Sequence, residues 1–299
     1  MRQFYIAPTY RCNNRCPMCG VFNSKKDSDW KYTSEELKTE IDNKEIKEGD
    51  IVIVSGGEPT IYPYFFELIK YLNEKKARIT IFSNGRAFKS KEFVNKMSEC
   101  EYENLLIPLF GSNSEIHEKL VGAKGSFNDT FEGLKNLDRA GLTYSIKNVV
   151  MKDNYKDLVQ WAELVTSNFK KPMMISIHGL HLQGEAPKIA EQLYVRHDIA
   201  AKYVERALDI IIEKNISVEI GLSAFPLCTI DPMYWKYNIV SKIEEYTTIS
   251  EDSDEIKRTN QKNYAERYKG CKNCRVADKC EWPWRMYEKK FELNYIQAF

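Results

Sequence analysis

The chain has 299 residues and a mass of 35.0 kDa, enough for one large domain with a buried core, alone or beside a small second domain. Hydrophobic residues make up 43% of the sequence and charged residues 29%, which excludes disordered and collagen-like proteins. Because 44 Lys and Arg nearly balance 43 Asp and Glu, the net charge of +1 provides no general attraction to polyanions. We therefore expect neither nucleic-acid nor membrane partners.

The eight cysteines are unevenly placed and raise the question of compartment. Residues 1–8 contain no apolar stretch long enough for a signal peptide, and no apolar run approaches the roughly 18 residues of a spanning helix. A cytoplasmic location is the resulting prediction. In a reducing compartment, closely spaced cysteines are more often metal ligands than disulfide partners.

Short segments rich in β-branched and aromatic residues recur along the chain and alternate with helical patterns. A helix begins after Thr33, where Glu36 completes a capping-box spacing, and another runs from Ser126 to a stop at Gly141. Strands alternating with helices are typical of a parallel sheet. The predicted strands are residues 3–7, 51–55, 78–82, 105–109, 144–151 and 173–178.

Six such units fall short of the eight in a complete TIM barrel. The prediction is an α/β fold with a partial (β/α)6 TIM-type barrel, and the pattern alone leaves an open doubly wound sheet as the alternative. A long helix over 198–214 and another strand over 217–222 follow. Residues 244–255 are acidic and poor in apolar side chains, so we interpret them as solvent-exposed. We expect two domains, 1–214 and a small cysteine-organised unit at 215–299.

Three cysteines, Cys12, Cys16 and Cys19, lie at CxxxCxxC spacing in the loop after the first predicted strand. Functional loops of parallel α/β proteins lie at this end of the sheet. Thiolates suit iron-sulfur clusters and zinc, but a structural zinc site has a fourth Cys or His ligand, and no histidine is near in sequence. Three ligands leave one iron of a four-iron cluster open, as a chemically active cluster requires.

This spacing resembles the radical S-adenosylmethionine (SAM) superfamily, and two later segments extend the resemblance. Gly56-Gly57-Glu58-Pro59 follows the second strand as the family's GGEP segment does, and Ser83-Asn84-Gly85 closes the third strand as its (S/T)NG segment does. The resemblance implies that Glu58 and neighbouring backbone meet the methionyl ammonium of SAM. It also implies contacts of Ser83 and Asn84 with the ribose or carboxylate end, and of the Met18 backbone with adenine. The cofactor-binding set is therefore Met18, Gly56, Gly57, Glu58, Pro59, Ser83 and Asn84.

Residues 108–127 align with the family's peptide-modifying branch but depart from it at polar positions. The family's Ser falls on Pro108, its Asp on Phe110, and its cofactor-carboxylate Arg on Val121, so those contacts are not carried over. Residues 179–185 loosely resemble its adenine-side segment, and we interpret His181 there as a packing residue. No motif fixes an acid-base role for His181, Glu185 or Asp231, so no catalytic residue is assigned.

A second cysteine group, Cys271, Cys274 and Cys280, resembles the CX2CX5C core of SPASM or twitch auxiliary-cluster domains. Trp284 stands where a full SPASM motif has its next cysteine, which favours a twitch-like domain with one auxiliary cluster. Cys228 is positioned to supply a fourth thiolate. The resemblance implies a second four-iron cluster, and a zinc site is the alternative that spacing leaves open. Cys100 lies outside both groups and is interpreted as a buried apolar residue.

The resemblance implies reductive cleavage of SAM to a 5′-deoxyadenosyl radical that takes a hydrogen atom from the substrate. An auxiliary cluster able to accept an electron favours oxidative modification of a peptide or protein side chain. One alternative is a dehydrogenase, epimerase or rearrangement enzyme acting on a sugar, aminoglycoside or cofactor precursor. Another is a non-catalytic iron-sulfur or zinc protein. The enzyme hypothesis requires an electron donor such as flavodoxin or ferredoxin.

Overall fold

The computed structural model describes residues 2–20, 32–214, 219–239, 245–249, 259–260, 271, 273–277, 279–280 and 285–298. Within them, one sheet contains nine strands: β1 Gln3–Thr9, β2 Ile51–Gly56, β3 Arg78–Phe82, β4 Asn104–Pro108, β5 Ser145–Val150, β6 Met174–Gly179, β7 Glu219–Ser223, β8 Glu245–Ile249 and β9 Thr259–Asn260. Their order is β7-β6-β5-β4-β3-β2-β1-β8-β9. Strands β1 to β8 pair in parallel, and β9 pairs with β8 antiparallel.

Helices connect the strands: α1 Ser34–Asn43, α2 Phe65–Glu74, α3 Lys91–Met97, α4 Ser114–Val121, α5 Ser126–Ala140, α6 Leu158–Asn168, α7 Ala190–Leu193, α8 His197–Glu213 and α9 Arg285–Glu288. The Thr33 capping box begins α1 as predicted, because the Thr33 side chain accepts from the Glu36 N–H and the Glu36 carboxylate accepts from the Thr33 N–H. Gly141 ends α5 in the left-handed conformation, also as predicted.

The predicted partial barrel is confirmed. All six predicted strands form, the predicted strand over 217–222 forms as β7 beside β6, and the sheet is not closed. Residues 245–249 form β8 against β1, a strand that the sequence analysis did not predict. Its pairing partner lies more than 230 residues earlier in the chain, which composition does not reveal. The predicted boundary between residues 214 and 215 stays a prediction.

One face of the sheet is covered by helices. Alternate strand residues such as Ile6, Val54 and Ile81 are fully buried against apolar side chains of α1, α2, α3, α5, α6 and α8. The intervening residues, among them Tyr5 and Thr80, point to the opposite face and are only partly buried. We call this opposite side the inner face. No described helix is long and apolar enough to cross a membrane.

Candidate functional site

The loop that carries Cys12, Cys16 and Cys19 follows β1 and is held by backbone hydrogen bonds from loops after three other strands. Thr9 and Arg11 carbonyls accept from the N–H groups of Gly57 and Glu58, each at 2.8 Å. Farther along, the Arg15 N–H donates to the Val121 carbonyl at 2.8 Å, and the Cys19 carbonyl accepts from the Glu185 N–H at 3.0 Å. The loop conformation is therefore fixed at both ends and in the middle.

The two glycines of the GGEP segment permit this close approach. Gly56 has a φ of 107°, a conformation that side chains rarely adopt, and Gly57 lies so close to the cysteine loop that a Cβ would be 2.1 Å from the Arg11 carbonyl oxygen. Both glycines are thus explained by backbone geometry around the loop. Their predicted contact with SAM stays a prediction.

Glu58 is 1% exposed, and both of its carboxylate oxygens accept hydrogen bonds. Oε1 accepts from the Thr60 hydroxyl at 2.6 Å, the Thr60 N–H at 3.1 Å and the Ser83 hydroxyl at 2.8 Å, while Oε2 accepts from the Asn84 N–H at 2.6 Å. Burial raises the pKa of Glu58, and these hydrogen bonds oppose the rise. The carboxylate therefore joins the GGEP loop to the SNG loop. Pro59, also buried, begins a short 3₁₀ turn at the same place.

The SNG loop is joined in turn to the cysteine loop. The Asn84 side-chain amide donates to Asn13 Oδ1 at 2.6 Å. Arg86 donates to the Asn13 carbonyl at 2.6 Å and to Asn14 Oδ1 at 3.0 Å, and its guanidinium pairs with Asp129 on α5 at 3.1 Å. The structure thus brings the three sequence-predicted segments together at the carboxyl ends of β1, β2 and β3.

At the positions where the family has polar side chains, this chain has apolar residues. Phe110 and Val121 are buried in an apolar layer, and the Val121 carbonyl anchors the cysteine loop. Pro108 ends β4 on the inner face. Cys16 and Met18 pack against the same layer, so Met18 lies beside the cysteine loop with its side chain against protein.

The donor set at the first cysteine group fits an iron-sulfur cluster. Cys12, Cys16 and Cys19 are all partly exposed on one anchored loop, and none of them is in a disulfide. Among the described residues, no three Cys, His, Asp or Glu side chains are arranged to hold one metal ion. Ligands of a four-iron cluster bind different irons and lie farther apart than the ligands of one zinc ion. The choice of a cluster over zinc rests on the thiolate donors and on the sequence, which has no histidine near the three cysteines, and it stays a prediction.

The second cysteine group converges on one pocket. Cys228, Cys271, Cys274 and Cys280 line it together with Pro226, Val276, Ala277, Ile296 and Gln297. Burial raises the pKa of the Cys280 thiol to about 12, and nearby Cys228, Cys271 and Cys274 raise it further. The sulfur atom of Cys280 also accepts from the Leu227 N–H at 3.3 Å. Chain segments some 50 residues apart therefore bring four thiols to one place, and their role as metal ligands stays a prediction.

One apolar layer borders both cysteine groups. Its buried residues include Leu180, Leu182, Tyr287 and Ile296, and both Cys16 and Cys228 pack against it. Residues 285–298 are tied to the sheet through this layer, because Tyr287 donates to the Leu180 carbonyl and the Tyr295 hydroxyl lies 2.8 Å from His197 Nδ1. Both cysteine groups therefore border one continuous packed region.

The other sequence candidates have different surroundings. Asp231 caps the 3₁₀ turn Pro232–Tyr237 by accepting from the Met233 N–H at 2.9 Å, and Glu185 pairs with Lys188 at 3.0 Å. His181 lies near Lys147 and His178. Sequence reasoning missed Lys147 and His178, although a lysine and a histidine inside apolar strands are a signal for polar residues on the inner face. Cys100 is buried in the main core, as predicted.

Comparison with known proteins agrees with this geometry. Fe-coproporphyrin III synthase of Methanosarcina barkeri is 26% identical over 280 residues, which are 93% of this chain and 68% of that protein. Mycofactocin maturase MftC of Mycolicibacterium smegmatis is 32% identical over 157 residues, 52% of this chain and 39% of MftC. The crystal structure of Streptococcus suis SuiB bound to S-adenosylmethionine is similar with a TM-score of 0.62 and 18% identity, covering 82% of this chain and 58% of SuiB.

The likeness to SuiB shows the fold, and the chain spans less than two thirds of SuiB and MftC. The family itself is shown by the match to a family model. Residues 6–165, more than half of the chain, match the model of the radical SAM superfamily. Those residues contain the cysteine loop, the GGEP segment and the SNG segment described above. The chain belongs to the radical SAM superfamily, whose members use a four-iron cluster and SAM.

Proposed function

We propose that this radical SAM enzyme holds two four-iron clusters and oxidises a side chain of a peptide or protein. The observation that carries the proposal is the pocket lined by Cys228, Cys271, Cys274 and Cys280, which borders the same apolar layer as Cys16. A substrate held between the two cysteine groups is close to a radical source on one side and an electron acceptor on the other.

Cys12, Cys16 and Cys19 hold the first cluster. When bound, that cluster supplies the electron that cleaves SAM and starts radical chemistry on the substrate. The surrounding residues keep the loop in place through Gly57, Glu58 and Arg86, whose contacts link it to β2, β3 and α5. Backbone groups near Gly56, Gly57 and Pro59, with Met18, Ser83 and Asn84, bind SAM.

The second cysteine group provides four thiolates, enough to ligate every iron of a second cluster. A closed, fully ligated cluster suits electron transfer rather than direct substrate binding. Ile296 and Gln297 close part of the pocket, so residues 285–298 limit the access of water to it. The chain divides functionally into a core at 1–214 and an auxiliary-cluster unit at 215–299. A flavodoxin or ferredoxin supplies electrons to the first cluster.

Similarity to MftC, a maturase, and to SuiB, which was crystallised with its precursor peptide SuiA, supports a peptide substrate. The second candidate is a small cofactor precursor. It is favoured by the match to Fe-coproporphyrin III synthase, which extends over 93% of this chain. Both candidates require the same two clusters.

Iron analysis after anaerobic reconstitution tests the two-cluster proposal. We expect about eight irons per chain and about half of that after combined Cys12→Ala, Cys16→Ala and Cys19→Ala replacement. Cys100→Ala is the matched control, since Cys100 lies in the main core, and it should retain all the iron. With SAM and dithionite, the wild type should form 5′-deoxyadenosine and the triple variant should not. Zinc in place of iron, or loss of all iron in the triple variant, would contradict two independent sites.

The substrate class is tested by mass spectrometry of reactions that contain either a peptide pool or coproporphyrin. A peptide that has lost hydrogen, with deoxyadenosine formed in step with it, supports the peptide proposal. Turnover of the porphyrin alone would favour the second candidate.

A further inference from the structure

Arg86 lies between the cysteine loop and helix α5 and binds both. Its Nη1 donates to the Asn13 carbonyl oxygen at 2.6 Å and to Asn14 Oδ1 at 3.0 Å. Its Nε and Nη2 both donate to Asp129 Oδ2 at 3.1 Å. One edge of the guanidinium therefore holds two consecutive residues of the cysteine loop, and another edge is fixed to a carboxylate on the helix.

The local fold places Arg86 at this position. Arg86 begins a short 3₁₀ turn directly after the SNG segment, and its N–H donates to Asn84 Oδ1 at 3.1 Å. The Thr130 hydroxyl on α5 donates to the Asn84 carbonyl oxygen at 2.9 Å, which ties the turn to the helix beside Asp129. The Arg86 and Asp129 side chains are only 18% and 20% exposed. This charge-assisted pair is thus largely shielded from water, and it holds the guanidinium in one orientation.

Asn14 connects Arg86 to a sequence-predicted metal ligand. Asn14 is 4% exposed, and its backbone N–H donates to Cys12 Sγ at 3.4 Å. Hydrogen bonds to the sulfur atoms and the net charge nearby are among the factors that set the reduction potential of an iron-sulfur cluster. An N–H donor and a positive charge both stabilise the reduced cluster, which is the more negative state. The orientation of Asn14 therefore affects how readily a cluster on Cys12 accepts an electron.

We propose that Arg86 is a positioning residue that sets the reduction potential of the first cluster by keeping the Asn14 N–H on the Cys12 sulfur. The inference rests on the proposed function, because it concerns the cluster held by the first cysteine group. It assigns a role in electron entry to a residue outside the CxxxCxxC, GGEP and SNG segments. Arginine suits this role because its planar fork binds a carboxylate and two loop oxygens at once, whereas a lysine ammonium supplies the charge without the fork.

An EPR-monitored redox titration of the reconstituted protein tests the proposal. SAM binds the open iron of the first cluster, so the signal that changes when SAM is added identifies that cluster. Arg86→Met should make its potential more negative, by about tenfold in the reduction equilibrium or about 59 mV for one electron. Asn14→Ala removes the side-chain oxygen that Arg86 holds and should shift the potential in the same direction. Arg139→Met is the matched control, because Arg139 on α5 pairs with Glu132 at 3.1 Å and should leave the potential unchanged.

Arg86→Lys separates positioning from charge. The lysine keeps the positive charge but cannot hold Asp129 and both loop oxygens together, so most of the shift caused by Arg86→Met should remain. A wild-type potential in Arg86→Lys would show that the charge alone matters and would overturn the positioning role. An unchanged potential in Arg86→Met would overturn any influence of Arg86 on the cluster.

Hydrogen exchange of the iron-free protein gives a second readout that does not depend on cluster loading. Mass spectrometry of peptides that cover residues 12–19 should show faster exchange in Arg86→Met than in the wild type or in Arg139→Met. Equal exchange in all three proteins would mean that Arg86 does not hold the loop, even if Arg86→Met takes up no iron. A wild type without a reducible first cluster would instead overturn the proposed function, and the exchange result would still decide whether Arg86 positions the loop.

Discussion

Glu58 accepts a hydrogen bond from the Asn84 backbone N–H at 2.6 Å, and this contact joins two loops that are 26 residues apart in sequence. The Asn84 side chain in turn donates a hydrogen bond to Asn13. The buried carboxylate therefore influences the position of the cysteine loop indirectly, through Asn84. The resemblance to the family predicts that Glu58 touches SAM. In the structure its carboxylate oxygens already accept hydrogen bonds from Thr60, Ser83 and Asn84. Glu58 is therefore also a positioning residue for the metal-binding loop.

Glu58→Gln should lower the free energy of unfolding by about 2 to 4 kcal/mol. The substitution places an amide N–H where the carboxylate now accepts, and a buried polar group loses its partner. Urea unfolding of the protein without iron measures this loss, and cluster loading of the variant measures its effect on the loop. The exposed Glu92 on α3 offers a control, since Glu92→Gln should have little effect on either. Equal stability of Glu58→Gln and wild type would show that the carboxylate does not join the loops.

Gly57→Ala should prevent normal loading of the first cluster. A Cβ at this position would lie 2.1 Å from the Arg11 carbonyl oxygen and 2.4 Å from that of Tyr10, so the cysteine loop must move. Iron analysis should show about half the wild-type iron, with the second site loaded. Gly20→Ala is the matched control in the same loop, because no atom of the described residues lies within 4 Å of a Cβ added there. Full iron content in Gly57→Ala would mean that the loop tolerates the displacement.

Tyr295→Phe should loosen residues 285–298 and reduce iron at the second site. The lost hydroxyl contacts both the Tyr194 hydroxyl and His197 Nδ1, and two residues later Gln297 lines the four-cysteine pocket. We expect a loss of about 1 to 3 kcal/mol in unfolding free energy. SAM binding at the first site should persist. Tyr64→Phe is the control, since Tyr64 is exposed and far from the pocket in sequence. An equal loss of iron in that variant would contradict the role expected of Tyr295.

The free energy of unfolding should decrease as the pH is lowered from 7 to 5, because buried histidines bind protons less readily in the folded state than in the unfolded chain. Burial lowers the pKa of His197 and of His117 to about 4, whereas in the unfolded chain each is near 6.5. In this range the unfolded state binds more protons, so acidification favours unfolding, by about 2 kcal/mol for each such histidine. Urea unfolding at several pH values measures the slope. His197→Gln should make the slope shallower, and an unchanged slope would show that His197 does not contribute.

Much of the fold was predictable because its strands are short apolar runs that end in turn residues or helix caps. The strand Arg78–Phe82 and the helix capped by Gly141 are examples, since local sequence alone specifies them. The cysteine spacing indicated metal ligands, and the GGEP and SNG segments were identified through the resemblance to the family. By contrast, β8 depends on pairing with a strand at the other end of the chain, and Lys147 and His178 reveal their shared face only once the register of β5 and β6 is known. The partners of Glu58 depend on contacts between separate loops, which spacing does not encode.

The position of β8 beside β1 has a consequence for how the protein is made. β1 leads directly into Cys12, and one of its two neighbouring strands comes from residues 245–249. A chain emerging from the ribosome therefore carries β1 with one open edge until most of the polypeptide has been synthesised. Chains arrested before residue 245 would present that edge to one another.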